Sequence, residues 1–326
     1  NSLDFKGSKG LLLSGGLDTR SLLSAINSNN VTAYTLGFSE NSREIKVASK
    51  LAKTKNIKHN IFIKKIDDYL DIIDDCINDS LNGFIFNSIF RLMNKINDDV
   101  IFNGIGIDYM FQGMYLDTWL KSKKFEITNL NNFFLDHNPC GNRYFNKSPI
   151  FRDYNEKKDE LAELSFDKNL SQNSDYERSL DLFLFSEPSN HYSYTDYLSQ
   201  LSIGKVIIPT FSSSLTEIWK ALKPESKKNK LIILNMLKHY SNNLYKIKSA
   251  NNNLPLDYNI FDKVFLFINH RINIFLKGRP IEHEVRTWPT EGYLLNLLNE
   301  NYLNFKKLVK SGIFDDFNWI DKQELL

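Results

Sequence analysis

Cysteine is nearly absent: Cys76 and Cys140 are the only two in 326 residues, far apart and outside any CxxC or histidine-rich setting. Neither a disulfide framework nor a zinc site is indicated, and a reducing, cytoplasmic compartment is expected. Long apolar runs are missing too. No stretch approaches the roughly 20 residues that cross a bilayer, and no signal peptide is visible, so no membrane partner is expected. Charge of one sign is also missing, because 41 basic residues meet 39 acidic ones for a formal +2. That balance offers no nucleic-acid groove. The common nucleotide loop GxxxxGK[ST] occurs nowhere. Gly104-Ile105-Gly106 follows an apolar run, but Tyr109 stands where the third glycine of a dinucleotide fingerprint belongs. Internal repeats and low-complexity linkers are absent apart from short asparagine runs.

What is present is enough apolar material for a sizeable core, 42% of residues. The chain is organised around Leu11-Leu12-Leu13-Ser14-Gly15-Gly16-Leu17-Asp18-Thr19-Arg20. The apolar run predicts a strand over 10–14, buried on both faces of a parallel sheet. Gly15 and Gly16 predict a tight loop with unusual backbone angles and close ligand approach. Thr19 is the expected N-cap of a helix through about residue 27. Loop amides backed by a helix N-terminus attract phosphate. An acid there, Asp18, suits a Mg²⁺ shared with the phosphates better than a bare anion.

Further strands are predicted over 31–38, 59–63 and 100–102, with a helix from Ser42 between the second and third. This alternation predicts a doubly wound parallel sheet. Helical patterns follow at 67–79 and 86–97. Beyond Tyr109 the alternation stops, and 125–200 reads as helices and loops. A short apolar segment at 206–209, helices over 214–222 and 231–240, and a polar loop over 247–255 complete the pattern. The segment 256–326 reads as helical and aromatic without a chemical motif. Ligands of open parallel sheets bind beyond the carboxyl ends of the strands at a switch point. If the first and fourth strands are neighbours, Gly104 and Gly106 face Gly15 and Gly16, and Asp108 approaches Asp18. Asp108 then either helps hold Mg²⁺ or caps the following helix.

Ser-Gly-Gly-Leu-Asp-Thr resembles the pyrophosphate loop of the ATP pyrophosphatases. Together with Gly37-Phe38 after the second strand and Gly104-Ile105-Gly106-Ile107-Asp108 after the fourth, it is similar to the synthetase domain of the asparagine synthetase family, whose relatives include β-lactam synthetases and lasso-peptide cyclases. The resemblance covers about residues 8–255. It implies an α/β fold, a doubly wound parallel sheet of the adenine-nucleotide hydrolase type with a largely helical C-terminal half. A synthetase domain over 1–255 would carry a helical extension over 256–326 packed on it. The implied chemistry is ATP-dependent adenylation of a carboxylate, with ATP and Mg²⁺ as cofactors. Residue by residue, Ser14, Gly15, Gly16, Asp18 and Thr19 match the pyrophosphate loop. Gly37 and Phe38 match the strand end beside the nucleoside. Asn103 and Gly104 match the position near the α-phosphate, and Asp108 the second metal-binding acid. Lys248 aligns with a catalytic lysine of the family, with Lys246 as its rival.

The sequence departs from the family where Ile105 replaces a glutamate that handles the amine and its proton, where Tyr109 replaces a second acid, and where Ser212 and Ser213 follow Phe211. Isoleucine transfers no proton. These departures bear on the amine-transfer step and leave the adenylation loops intact. The family's glutaminase domain is not within these residues. The expected partners are a small-molecule or peptide carboxylate and an amine donor, either a separate amidotransferase or partner protein or the acceptor substrate itself. Two readings stand beside the ligase: a catalytically degenerate nucleotide- or partner-binding scaffold, and a tRNA-modifying pyrophosphatase, which the charge balance disfavours.

Overall fold

The computed structural model describes residues 6–65, 85–113 and 194–259, with isolated positions between 68 and 272. The expected elements at 67–79, 125–193 and most of 256–326 lie outside the described residues. The chain forms two compact units, residues 1–114 with 192–290 and residues 115–191 with 291–326. Within the second, Arg178 pairs with Asp181 at 3.1 Å. Every feature discussed below belongs to the first.

Its centre is a five-stranded, all-parallel sheet in the order β3-β2-β1-β4-β5. The strands are β1 (Lys9–Leu12), β2 (Val31–Gly37), β3 (Lys58–Ile63), β4 (Val100–Phe102) and β5 (Val206–Ile207). β1, Lys9 included, and β4 are buried throughout, as strands covered by helices on both faces are. Leu11 lies opposite Ala33 on one side and Phe102 on the other. β3, at the edge, has no buried position: Lys58, Ile61 and Ile63 are exposed and His59, Asn60 and Phe62 half-buried. The order places the switch point between β1 and β4.

Helix α1 (Leu17–Ala25) packs Leu22 and Leu23 into the core, and α2 (Arg43–Thr54) packs Ile45, Val47, Ala48, Leu51 and Ala52 there. The Ser42 hydroxyl caps α2 by accepting from Ile45 N. A 3₁₀ segment (Ile85–Leu92) precedes β4, and the short α3 (Ile107–Phe111) follows it. Helices α4 (Tyr194–Leu201), α5 (Ser213–Ala221), α6 (Pro224–Lys227), α7 (Leu231–Tyr240) and α8 (Asn242–Tyr245) complete the unit. No described helix is long and apolar enough to cross a membrane.

Three local expectations are corrected. β1 ends at Leu12, although Leu13 N still donates to Tyr34 O at 2.8 Å. α1 begins at Leu17 with Gly16 at the cap position and ends at Ala25, so Thr19 lies inside its first turn. The Thr19 hydroxyl is drawn away from capping by Ser14. Asp108 is likewise no N-cap, because Gly106 holds that position of α3 in a left-handed conformation, φ +88°.

Candidate active site

The loop after β1 is stapled by two hydroxyls. Ser14 Oγ accepts from Gly16 N at 3.1 Å and lies 2.9 Å from Thr19 Oγ1. Thr19 Oγ1 accepts from Ser14 N at 3.0 Å and donates to Ser14 O at 3.1 Å. The unusual backbone angles expected of these glycines are not adopted. Among the described residues only Gly106, Gly113 and Gly204 have glycines' positive φ, so neither Gly15 nor Gly16 needs it. A Cβ on Gly15 would overlap Ala250 Cβ and lie 3.1 Å from Val47, so glycine admits a close backbone approach. The Gly15→Ala variant is therefore expected to lose about 1–3 kcal/mol of stability by overpacking. Urea unfolding would read this as a lower midpoint at unchanged slope, and an unchanged midpoint would refute the contact.

The loop after β4 docks on the first turn of α1, which follows this loop. A Cβ on Gly104 would lie 3.1 Å from Asp18 C and 3.2 Å from Thr19 N. Buried Asn103 shapes the second loop: its Oδ1 accepts from Ile105 N at 2.9 Å, and its Nδ2 donates to Gln200 Oε1. Phe211 covers the Cα of Gly106, within 3.1 Å of where a side chain would start.

Apposition of the loops brings the two predicted acids together. The Asp18 carboxyl is held well above the usual carboxylate range, first by burial and then by the charge of Asp108. Lys230 pulls it back down, as does an amide hydrogen bond donated by Gln112 Nε2 to Asp18 Oδ1. Burial raises Asp108 to about 6. Two half-buried carboxyls whose hold on a proton is raised form an anionic donor pair. Among the described residues no three His, Cys, Asp or Glu side chains cluster for a metal. Two carboxylates with phosphate oxygens and water are what Mg²⁺ accepts, so the residues present fit it.

Gln112 and Lys230 were not identified from sequence. Gln112 carried a signal, since it lies four residues after Asp108 at helical spacing. Lys230 lies in the basic run Lys227-Lys228-Asn229-Lys230, where Asn229 and Lys230 both adopt positive φ, 55° and 62°. No local rule points such a turn at Asp18.

Gly37 ends β2, and a Cβ there would overlap Ile45, so glycine lets α2 lie on the strand end. Phe38 beside it is half-buried. The lysine segment reaches the first loop through its backbone. Arg20, from α1, donates through NH1 to Ile247 O at 2.6 Å and Leu244 O at 3.3 Å, and through NH2 to Lys248 O at 3.2 Å and Gly15 O at 3.3 Å. Arg43 NH1 donates to Ala250 O and Asn251 O at 3.3 and 3.2 Å. Lys246 and Lys248 both expose their side chains, but only the Lys248 carbonyl is held by Arg20.

A polar chain runs behind the second loop, from Asn103 to Gln200 and on to Asp196, whose Oδ2 accepts from Gln200 Nε2 at 3.0 Å. Burial lifts Asp196 to about 7. A carboxyl that binds its proton more tightly folded than unfolded, where its value is about 3.9, loses stability as pH rises from about 4 through 7. Asp196→Asn keeps an acceptor for Gln200 and removes the charge. Its Tm is expected to exceed wild type at pH 8, by about 2–4 °C for each kcal/mol recovered, and the difference should shrink towards pH 5. A gain equal at both pH values would show that Asp196 is not the titrating group.

None of the curated proteins matches the chain. Residues 3–243 match the family model of asparagine synthase, a span that takes in the whole sheet, both loops and Lys230 but stops before Lys246 and Lys248. With a parallel sheet whose switch point carries the paired loops and paired acids, this chain belongs to the asparagine synthase family.

Proposed function

We propose that the protein is an AMP-forming amide ligase, which adenylates a substrate carboxylate and passes the acyl group to an amine. The family supports an ATP-dependent ligase in general terms. The observation that carries the reading is the docking of Gly104 on Asp18–Thr19, which sets Asp108 beside Asp18 at the switch point. In the reaction a carboxylate oxygen attacks the α-phosphorus of ATP. The bond to the bridging oxygen breaks, and pyrophosphate leaves with the electron pair. The amine then adds to the acyl carbon, AMP departs, and the amine proton is lost.

Asp18 and Asp108 would hold Mg²⁺, which supplies charge neutralisation for the phosphates when bound. The N-terminal turn of α1 and Lys230 receive the pyrophosphate, and Lys248 supplies positive charge where it develops at the α-phosphate. Positioning and charge stabilisation do most of this work, and no covalent enzyme intermediate is needed. Gly37 and Phe38 border the nucleoside, and Asn103 and Gly104 the α-phosphate. The acyl substrate is a small-molecule or peptide carboxylate. The amine comes from the acceptor itself or from a separate protein.

The scaffold reading draws on Ile105 and on Tyr109, which is buried and supplies no acid to the site. One experiment separates the two. Purified protein is titrated calorimetrically with Mg-ATP and then incubated with carboxylate pools while AMP and pyrophosphate are measured. Binding with stoichiometric AMP and pyrophosphate release supports the ligase. Binding without release from any pool favours the scaffold. No binding to folded protein removes both nucleotide readings.

A further inference from the structure

Arg20 is fully buried in α1, beside the buried Ser21, Leu22 and Leu23. Taking a guanidinium out of water is costly unless its donors find acceptors and its charge finds a counterpart. The counterpart is Glu44, whose charge opposes the burial that pulls Arg20 down to about 10. The acceptors are elsewhere: Gly15 O, Leu244 O, Ile247 O and Lys248 O. Its Nε has no partner among the described residues. An arginine needing only neutralisation would turn its fork to the carboxylate. This one spends three of four hydrogen bonds on carbonyls 224, 227 and 228 residues away in sequence.

The arrangement is specific in a second way. One nitrogen, NH2, bonds both Gly15 O and Lys248 O, so the pyrophosphate loop and the lysine segment meet on a single atom. Glu44 Oε1 accepts from Gly15 N, so the peptide groups on both sides of Gly15 Cα are held by this buried pair. Ala250, two residues beyond Lys248, fills the space a side chain on Gly15 would need. A lysine ammonium sits on a long flexible stem, and where its backbone is fixed decides what it reaches. Arginine's planar fork holds two sets of carbonyls in different directions, which one ammonium in its place would not reproduce.

We propose that Arg20 is a positioning residue that locks the Lys248 segment onto the pyrophosphate loop, so that Lys248 is delivered to the phosphates of bound ATP. The role of Lys248 rests on the ligase reading above. The lock itself is a property of the ligand-free protein.

The test uses Arg20→Lys and Arg20→Met beside wild type, with two readouts. The first is hydrogen exchange of amides 246–251 without ligand, measured against the amides of β1 and β4. Both variants are expected to exchange at least tenfold faster in the segment while the strands stay at wild-type rates. The second is amine acylation of Lys248, followed by mass spectrometry with and without saturating Mg-ATP. Wild type should show at least tenfold protection by Mg-ATP. Arg20→Lys should show less than threefold protection at a Mg-ATP concentration that saturates the variant. A merely structural arginine would speed exchange in strands and segment alike and leave the protection of Lys248 intact, and that result overturns the proposal. Should Arg20→Met fail to fold, Arg20→Lys carries both readouts. If wild type itself shows no Mg-ATP binding, the ligase reading fails and delivery of Lys248 to phosphate fails with it. The exchange data then decide the lock separately, and unchanged segment rates would dismiss that as well.

Discussion

Asp18→Ala is expected to weaken Mg-ATP binding by about 100-fold or more, roughly 2.7 kcal/mol or above, and to erase the difference between titrations with Mg²⁺ and with EDTA. Asp18 adjoins Asp108 beneath the docked second loop, so removing it halves the carboxylate donors at that point. Mg²⁺ dehydrates reluctantly and is held by few protein ligands, so the loss of one of two is severe. Calorimetric titration with ATP and a non-hydrolysable analogue reads the outcome, and a wild-type Kd in Asp18→Ala would refute the metal assignment. The opposite effect is expected without ligand. Asp108 rises to about 6 and Asp18 is also raised, so both bind protons more tightly folded than unfolded. Stability of the ligand-free protein therefore falls as pH climbs from about 4 past 6. Asp18→Asn should relieve the repulsion and raise Tm at pH 8 while abolishing Mg²⁺-dependent binding. Opposite signs for stability and binding are expected of a site that keeps two like charges together for function.

Lys248→Ala has the second large effect. Mg-ATP affinity is expected within threefold of wild type, while pyrophosphate release with the carboxylate substrate falls by about 10²–10³, the range for losing one donor aimed at developing charge. Lys246→Ala is the control. Its carbonyl is not among those that Arg20 holds, and its side chain leaves from the end of α8. If Lys246→Ala alone lost pyrophosphate release, the two lysines would exchange roles. Equal losses in both would mean that the segment needs its total charge more than a placed ammonium.

Local rules reached far into this chain where the physics is local. Leu11-Leu12 and Val100–Phe102 are apolar without interruption, as strands covered on both faces are. Ser42 ahead of the stripe Ile45, Val47, Ala48, Leu51, Ala52 announced both the start and the buried face of α2. Where local signals competed they misled. Thr19 has a capping side chain, but Ser14 five residues earlier offered it better partners. Gly15 and Gly16 read as turn glycines, and the structure uses Gly15 for contact with a segment far along the chain.

The residue sequence by itself determined the alternation of strands and helices, the two glycine loops and the acids they carry, because periodicity and loop chemistry are written within a few neighbouring residues. The tertiary structure alone decided that β1 and β4 are neighbours, that Asp108 comes beside Asp18, that Gln112 and Lys230 attend it, and that Arg20 joins Gly15 to Lys248. A hydrogen bond between residues 228 apart leaves no trace in the spacing of either segment. It exists only once the sheet order has brought the ends of distant elements to one edge.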